Sequence, residues 1–288
     1  MPISRALVKI VEERLALKFK GFEPIGGGSI NSTYSLLTDK GRYFVKTNSK
    51  PRFKGMFEAE ARGLHLIADT QTIATPEVVL QDETDSEYFL LLEWIDTKRP
   101  DKKTSQLLGT ELAAMHRLSS LTFGLDHDNY MGSLNQSNKQ HNTWGDFFIN
   151  KRLIPMVKLG VDLQMLDQTD VKHFDTLYKH LPELFDEEPP ALIHGDLWGG
   201  NYIMGANNKP YLIDPAVSYG HREFDMAMTT LFGGFANEFY ISYNEAYPLA
   251  KNWQQRIDLW NLYPLLVHVN IFGGSYVGQT RDALRQFV

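Results

Sequence analysis

The sequence predicts an α+β protein of two lobes, an antiparallel N-terminal sheet with one main helix followed by a mostly helical C-terminal part. Three observations predict it. Before residue 96 the chain is dominated by β-prone runs separated by turn residues. From Thr104 the apolar spacing becomes helical. Between them in character is the stretch 191–215, ALIHGDLWGGNYIMGANNKPYLIDP, which reads as two short apolar strands with polar side chains at their mouths. These features divide the chain into an N-terminal lobe at residues 1–95 and a C-terminal lobe at residues 96–288.

Composition bounds the class. The 288 residues suffice for two lobes with real cores, and 43% hydrophobic with 22% charged residues is the content of a soluble globular protein. A net charge of −6 leaves no basic excess to neutralise nucleic-acid phosphates, so no nucleic-acid partner is expected. The chain has no cysteine, which excludes disulfides, thiol nucleophiles and cysteine-ligated zinc. The opening residues MPISRALVKIVEERLALKFK carry charges every few positions and read as neither a signal peptide nor a membrane span. No later stretch is long and apolar enough to span a membrane, and a cytoplasmic location is expected.

The elements follow in order. Ile3, Leu7, Ile10, Val11 and Leu15 have helical spacing, so an amphipathic helix opens the chain. A short strand at 22–25 leads to Gly26, Gly27, Gly28, Ser29, Ile30 and Asn31. Next, runs at 32–37 and 42–47 flank the turn 38–41 and form a hairpin. A glycine cluster lets backbone N–H groups approach phosphate closely, though Gly-rich turns are common. With a strand on each side, and no Gly-Lys-Ser/Thr after it, it fits a flap over ATP phosphates better than a Walker or dinucleotide loop.

Lys46 ends the second hairpin run, as either a solvated lysine or the lysine that grips the α and β phosphates. Gripping phosphate requires an anionic partner, and the helix at 54–69 offers Glu58 and Glu60, of which we favour Glu60. Strands are expected at 77–81 and 87–95, the second nearly all apolar and therefore buried. At its end, the backbone groups of Glu93, Trp94 and Ile95 are in place to read an adenine edge.

A helix is expected from Thr104, carrying His116 as a packed or surface residue. The long polar segment after it is expected to face substrate, and Asp126-His127-Asp128 is not expected to bind metal because adjacent side chains point apart. Helices follow at 144–159, bent at Pro155, and at 169–181. The remainder from 237 is rich in aromatic and aliphatic residues and is expected to be core. Its polar exceptions Asn261, His268 and Asn270 either face the cleft or are satisfied structural groups, of which the second is expected.

The chemistry concentrates in the central stretch. Asp196, Asn201 and Asp214 place a carboxylate, an amide and a second carboxylate beside short apolar strands. Any one alone would read as a turn residue. Together, in the order His-x-Asp-x-x-x-x-Asn, strand, Asp, they parallel the catalytic loop and metal-binding Asp of protein kinases. Phosphoryl transfer needs this set: one Asp takes the proton of the attacking hydroxyl, and the Asn and second Asp hold Mg²⁺ against the nucleotide phosphates. Trp198 beside the base is a platform for a sugar face or a packing residue. Asp225, near the start of a helix after Gly220, either ties down the catalytic loop or favours the helix dipole, and both readings stand. With Trp198, we group His194 and Asp225 on the substrate side.

HGDLWGGN at 194–201, IDPAVSYGHREFDMAM at 213–228, FVK at 44–46 and MFEAEARGL at 56–64 strongly resemble the fructosamine (ketosamine) kinase family. That family is grouped with aminoglycoside phosphotransferases and choline kinases in the bilobal protein-kinase-like fold. The resemblance runs over nearly the whole chain, and Trp198 followed by two glycines is its specific mark. It implies Asp196 as catalytic base, Asn201 and Asp214 as Mg²⁺ ligands, Lys46 positioned by Glu60, residues 93–95 at adenine, and Gly26 to Asn31 as the flap. The segment 132–138 resembles the family's loop after the first C-lobe helix. Some relatives carry a flap cysteine next to the position of Ser29; its absence here removes thiol-based redox control.

The implied activity is ATP- and magnesium-dependent phosphorylation of a sugar hydroxyl on a ketoamine, a small molecule or a glycated protein lysine, with a role in deglycation. Rival readings are a kinase of another alcohol, such as an aminoglycoside, choline or homoserine, and a non-catalytic nucleotide-binding protein.

Overall fold

The computed structural model describes residues 3–26 and 30–288. Helix α1 (Arg5–Leu15) begins where the Ser4 hydroxyl accepts from the Leu7 N–H at 3.1 Å. Strands β1 (Phe19–Ile25), β2 (Ser32–Thr38) and β3 (Gly41–Ser49) follow, then α2 (Met56–Asp69), β4 (Val78–Glu83) and β5 (Glu87–Glu93). The five strands make one antiparallel sheet in the order β1-β2-β3-β5-β4.

Both faces of this sheet are covered. Leu7 and Val11 of α1 pack with Tyr34, Leu36, Val45, Phe89 and Leu91. Phe57, Ala61 and Leu64 of α2 pack with Leu90 and Leu92 on the other face. Successive side chains of a strand point to opposite faces, so β5 is apolar at every position from Phe89 to Leu92 because each face has its own helix. The opening helix is thus the second cover of the N-terminal sheet. Burying each such side chain contributes about 1.5–3 kcal/mol.

Strand β5 stops at Glu93, two residues short of the expected Ile95, because the chain turns there toward the second lobe. The Asp96 carbonyl accepts from the Ala206 N–H at 2.6 Å, and the Lys98 N–H donates to the Met204 carbonyl at 2.8 Å.

The second lobe starts with α3 (Lys102–His116), closed at its N-terminus by an Asp101–Thr104 capping box. The polar segment after it is built around a small hairpin, β6 (Asn129–Met131) and β7 (Leu134–Gln136). In place of one bent helix there are α4 (Trp144–Phe147), a π-helical turn at Phe148–Leu153, and α5 (Ile154–Asp162). Pro155 lies in the first turn of α5, where its missing N–H is least costly. The Lys151 carbonyl, four residues before it, accepts instead from the Arg152 guanidinium at 3.2 Å.

Helix α6 (Gln168–His180) leads to β8 (Ala191–Ile193), β9 (Tyr202–Met204), β10 (Pro210–Leu212) and β11 (Ser218–Gly220). β9 pairs with β10 and β8 with β11, both antiparallel. Helices α7 (Glu223–Leu231), α8 (Asn237–Ala246), α9 (Ile257–Phe272) and α10 (Ser275–Leu284) complete the chain.

The largest core lies under α7 and α9, where Trp144 stacks on Phe148 at 5.3 Å and both meet Trp260. A second core joins Ile67 of α2 to Leu108 and Leu112 of α3 and to Leu192, Leu197 and Leu212. Helix α2 is therefore anchored in both lobes, which fixes Glu60 relative to the stretch that carries Asp196. Among the described residues, no helix is long and apolar enough to cross a membrane.

Candidate active site

The loop at 194–201 leaves β8 and is held from behind. Gly195 has φ +81°, and a Cβ there would sit 2.2 Å from the Ala216 carbonyl, so only glycine fits. Asp225 accepts from the His194 N–H at 2.7 Å and the Gly195 N–H at 2.9 Å. Its carboxylate also lies 3.2 Å from His116 Nε2, and His116 Nδ1 lies 2.7 Å from the Tyr243 hydroxyl. Of the two roles open for Asp225, the geometry supplies the loop tie directly.

His194 Nε2 lies 3.0 Å from the Ile213 carbonyl, which can only accept, so that nitrogen carries the proton. Nδ1 then accepts the Asp196 N–H at 3.2 Å. Burial pushes the His194 pKa down, more than Asp225 raises it, and keeps the ring neutral. His194 and Asp225 are both fully buried and absent from the cavity wall. The expectation that they meet substrate is corrected: their hydrogen-bonding groups are spent on the loop backbone, on His116 and on the Ile213 carbonyl.

In front of the loop is a cavity of about 470 Å³, lined by Lys46, Glu60, Asp196, Asn201 and Asp214 among others. Lys46 lies opposite Leu90 in the β3–β5 register, on the face that α2 covers. Its Nζ donates to Glu60 Oε1 at 2.7 Å and to Asp214 Oδ1. Burial pulls the Lys46 pKa down, but Asp214 and Glu60 outweigh it and hold the ammonium protonated. Burial pushes Glu60 up. Glu58, two positions away on α2, points to solvent and pairs with Arg62 at 2.6 Å. Helix phase thus separates the two glutamates.

Asp196 accepts from Asn201 Nδ2 at 2.9 Å, and the same amide donates to the Asp196 carbonyl at 2.8 Å. Burial and then the Asp214 charge push its carboxyl up to about 7, against the Asn201 hydrogen bond. A base poised there is suited to work near neutral pH. Asp214 adopts φ +56°, a left-handed conformation that Asp tolerates better than most residues, and its side chain is 45% exposed to the cavity side.

Among the described residues, no group of three His, Cys, Asp or Glu could hold a metal by itself. Magnesium does not need one, since it is commonly held by one or two carboxylates with phosphate and water oxygens. The exposed Asp214 carboxylate and the Asn201 Oδ1, which accepts no hydrogen bond from the described residues, are suitable donors.

The nucleotide-side expectations fare unevenly. Ile30 and Asn31 line the cavity, and Asn31 Oδ1 accepts from Asn48 Nδ2 at 3.2 Å. Gly26 lies exposed just past β1, while Gly27, Gly28 and Ser29 fall outside the described residues. Glu93, Trp94 and Ile95 are not on the cavity wall. The Glu93 N–H already donates to the Glu77 carbonyl at 2.9 Å, which engages that one donor of the 93–95 set. Trp94 Nε1 donates to Asp96 at 3.0 Å.

Trp198 does reach the cavity. The two glycines after it have a steric cause: a Cβ on Gly200 would lie 2.2 Å from the Trp198 ring, and one on Gly199 would lie 2.5 Å from the Gly233 carbonyl. Beyond Trp198 the wall is made of Phe232, His268, Phe272 and Tyr276; sequence reasoning passed over the three aromatic residues and favoured a structural role for His268, which the cavity lining corrects. Their helical spacing reads as core, and the Gly273-Gly274 pair after Phe272 is the one local sign that the helix ends at a surface. Asn261 and Asn270 are only half satisfied: each Nδ2 donates, to the Ala227 and Met156 carbonyls, while each Oδ1 is buried without a hydrogen-bond partner among the described residues. His127 pairs only with its neighbour Asp126 among the described residues.

The chain as a whole has known relatives. The sequence model of the fructosamine kinase family matches residues 3–288. A Vibrio parahaemolyticus protein named "Probable ketoamine kinase" is 39% identical over 272 residues, covering 92% of this chain and 91% of the relative. The chloroplastic protein-ribulosamine 3-kinase of Arabidopsis thaliana is 37% identical over 273 residues, covering 93% and 82%. A solved structure from Thermobifida fusca, named for fructosamine-3-kinase, superposes with a TM-score of 0.90 at 34% identity over 99% of both chains. An aminoglycoside phosphotransferase shares the fold at a TM-score of 0.65 and 15% identity, covering 98% and 99%. The chain therefore belongs to the fructosamine kinase family and is an ATP-dependent phosphotransferase with a hydroxyl acceptor.

Proposed function

We propose that this protein is an ATP- and Mg²⁺-dependent kinase of ketoamines, acting on small-molecule adducts and on glycated lysine side chains in the cytoplasm as a step in deglycation. The observation that carries the reading is the meeting of Lys46, Glu60, Asp196, Asn201 and Asp214 on one cavity, in a chain whose relatives carry ketoamine- and ribulosamine-kinase names. The nucleotide is taken to lie between the lobes at residues 1–95 and 96–288, with the flap from Gly26 to Asn31 on its phosphates.

The reaction forms one bond and breaks one. The acceptor oxygen attacks the γ-phosphorus, the bond from that phosphorus to the β–γ bridging oxygen breaks, and ADP leaves. Asp196 takes the hydroxyl proton, and Asn201 holds the carboxylate in place. Lys46, kept protonated by its two carboxylates, presents positive charge to the phosphates. Asp214 and Asn201 would hold Mg²⁺, which supplies charge neutralisation on the phosphate oxygens when bound. Most of the rate gain is then positioning and electrostatics.

ATP consumption against a fructosyl-lysine, a ribulosyl-lysine, an aminoglycoside and choline tests this reading. The expected result is turnover on the ketoamines, dependent on Mg²⁺ and lost in Asp196→Asn. Turnover on the aminoglycoside or choline alone would keep the fold and base but reject the ketoamine acceptor. ATP binding without turnover on a wider panel of alcohols would favour a non-catalytic role.

A further inference from the structure

The cavity has two chemically distinct ends. The carboxylates that line it among the described residues are Glu60, Asp196 and Asp214, all at the phosphate-transfer end. The far end is a wall of rings. Trp198 meets Phe232 at 5.9 Å, edge to face. Phe232 meets His268 at 5.1 Å, and His268 meets Phe272 at 5.5 Å and Tyr276 at 4.8 Å. Phe232 is 41% and Phe272 52% exposed, a cost that core packing does not explain. Gly273 and Gly274, both at positive φ, turn α9 into α10 tightly enough to bring Phe272 and Tyr276 beside the same histidine.

His268 is oriented by its own helix. Its Nδ1 lies 2.7 Å from the Pro264 carbonyl, an acceptor, so Nδ1 carries the proton. Nε2 has no hydrogen-bond partner among the described residues, and the ring lines the cavity. Burial lowers the His268 pKa and keeps the ring neutral, leaving Nε2 as an acceptor.

We infer that Phe232, His268, Phe272 and Tyr276 form the subsite for the amine-bearing arm of the acceptor, with His268 Nε2 accepting the N–H of its protonated secondary amine. This inference rests on the ketoamine reading above. A secondary alkylammonium is a cation with two N–H donors. No carboxylate among the described residues stands at this end to meet it, so ring faces and one neutral imidazole nitrogen supply the attraction. The same wall provides apolar contact for the alkyl chain, while Trp198 at its inner edge stays with the sugar.

The test compares two acceptors that differ in one atom, a 1-alkylamino-1-deoxyfructose and the matching 1-O-alkyl fructose. Wild type should favour the amine by roughly ten- to a hundred-fold in kcat/KM, the span of one charge-assisted hydrogen bond. His268→Phe should erase that preference, raising KM for the amine about tenfold or more while changing KM for the oxygen analogue, whose alkyl chain meets the same wall, by a much smaller factor. Phe272→Ala, at an exposed position, should raise KM for the amine several-fold more than for the oxygen analogue. Equal use of both acceptors by wild type, or equal losses on both in the two variants, would overturn the inference while leaving the kinase reading intact. Turnover of neither acceptor would reject the ketoamine reading, and the subsite with it.

Discussion

Asp196 and Asp225 stand on opposite sides of one loop and differ in how their oxygens are used. Asp225 accepts from two backbone N–H groups and faces His116, with no exposure to solvent. Asp196 is held through a single amide, Asn201, and looks into the cavity. The first carboxylate is saturated and acts as structure. The second keeps acceptor capacity in reserve, and burial and the nearby Asp214 raise its proton affinity. A buried carboxylate becomes available for chemistry when its environment leaves hydrogen-bonding capacity unspent.

Substitutions at the two positions should separate activity from stability. Asp196→Asn should lower kcat by about 10²- to 10⁴-fold, the range for a general base, with the melting temperature unchanged or higher because a like charge beside Asp214 is gone. Activity within tenfold of wild type would show that the base lies elsewhere. Lys46→Met, across the cavity, should lower kcat/KM for ATP by about 10²-fold. An unaltered ATP dependence would mean that its two carboxylate contacts serve the fold alone.

Asp225→Ala should do the reverse, costing about 3 kcal/mol of stability by orphaning two buried N–H groups and leaving His116 unpaired on that side. Calorimetry beside a low-temperature assay separates the two effects. A stable but inactive Asp225→Ala would erase the distinction between scaffold and site.

The smallest effect concerns a third carboxylate, Glu111 of α3, which is partly buried away from the cavity. Burial pushes its carboxyl up to about 7, partly opposed by Lys209. Between pH 4.5 and about 7 the folded protein holds a proton there that the unfolded chain has released, so stability falls as pH rises through that window. Glu111→Gln should remove the loss, giving about 1 kcal/mol more stability than wild type at pH 8 after allowance for solvent screening, and no difference at pH 4. Urea unfolding at the two pH values measures it. An equal gain at both would assign the effect to packing instead of charge.

Much of the fold is legible in local sequence. The hairpin, α2 and the buried β5 follow from residue spacing, although the apolar run in β5 makes full sense only with α1 on the second face. The π-helical turn before Pro155 has no signal in the apolar spacing, and its Arg152 is placed by partners distant in sequence, the Ser137 carbonyl and Asn138 Oδ1. That the Glu93 N–H is taken by the carbonyl of Glu77, sixteen residues earlier in the chain, is likewise not legible in local sequence.

What the sequence determined by itself was the set Asp196, Asn201 and Asp214, together with the candidates for a lysine partner. Residues five apart in a tight loop, or one hairpin apart, are constrained to be neighbours by covalent geometry. The sequence favoured Glu60 over Glu58 as the partner of Lys46, and the tertiary structure bears that out, since helix phase acquires meaning only against a particular sheet. Tertiary structure alone built the ring wall from Trp198, Phe232, His268, Phe272 and Tyr276. Those side chains come from a loop, the end of α7, α9 and α10, and no single period relates them. An aromatic residue spaced for burial looks the same in sequence whether a core or a cavity lies in front of it.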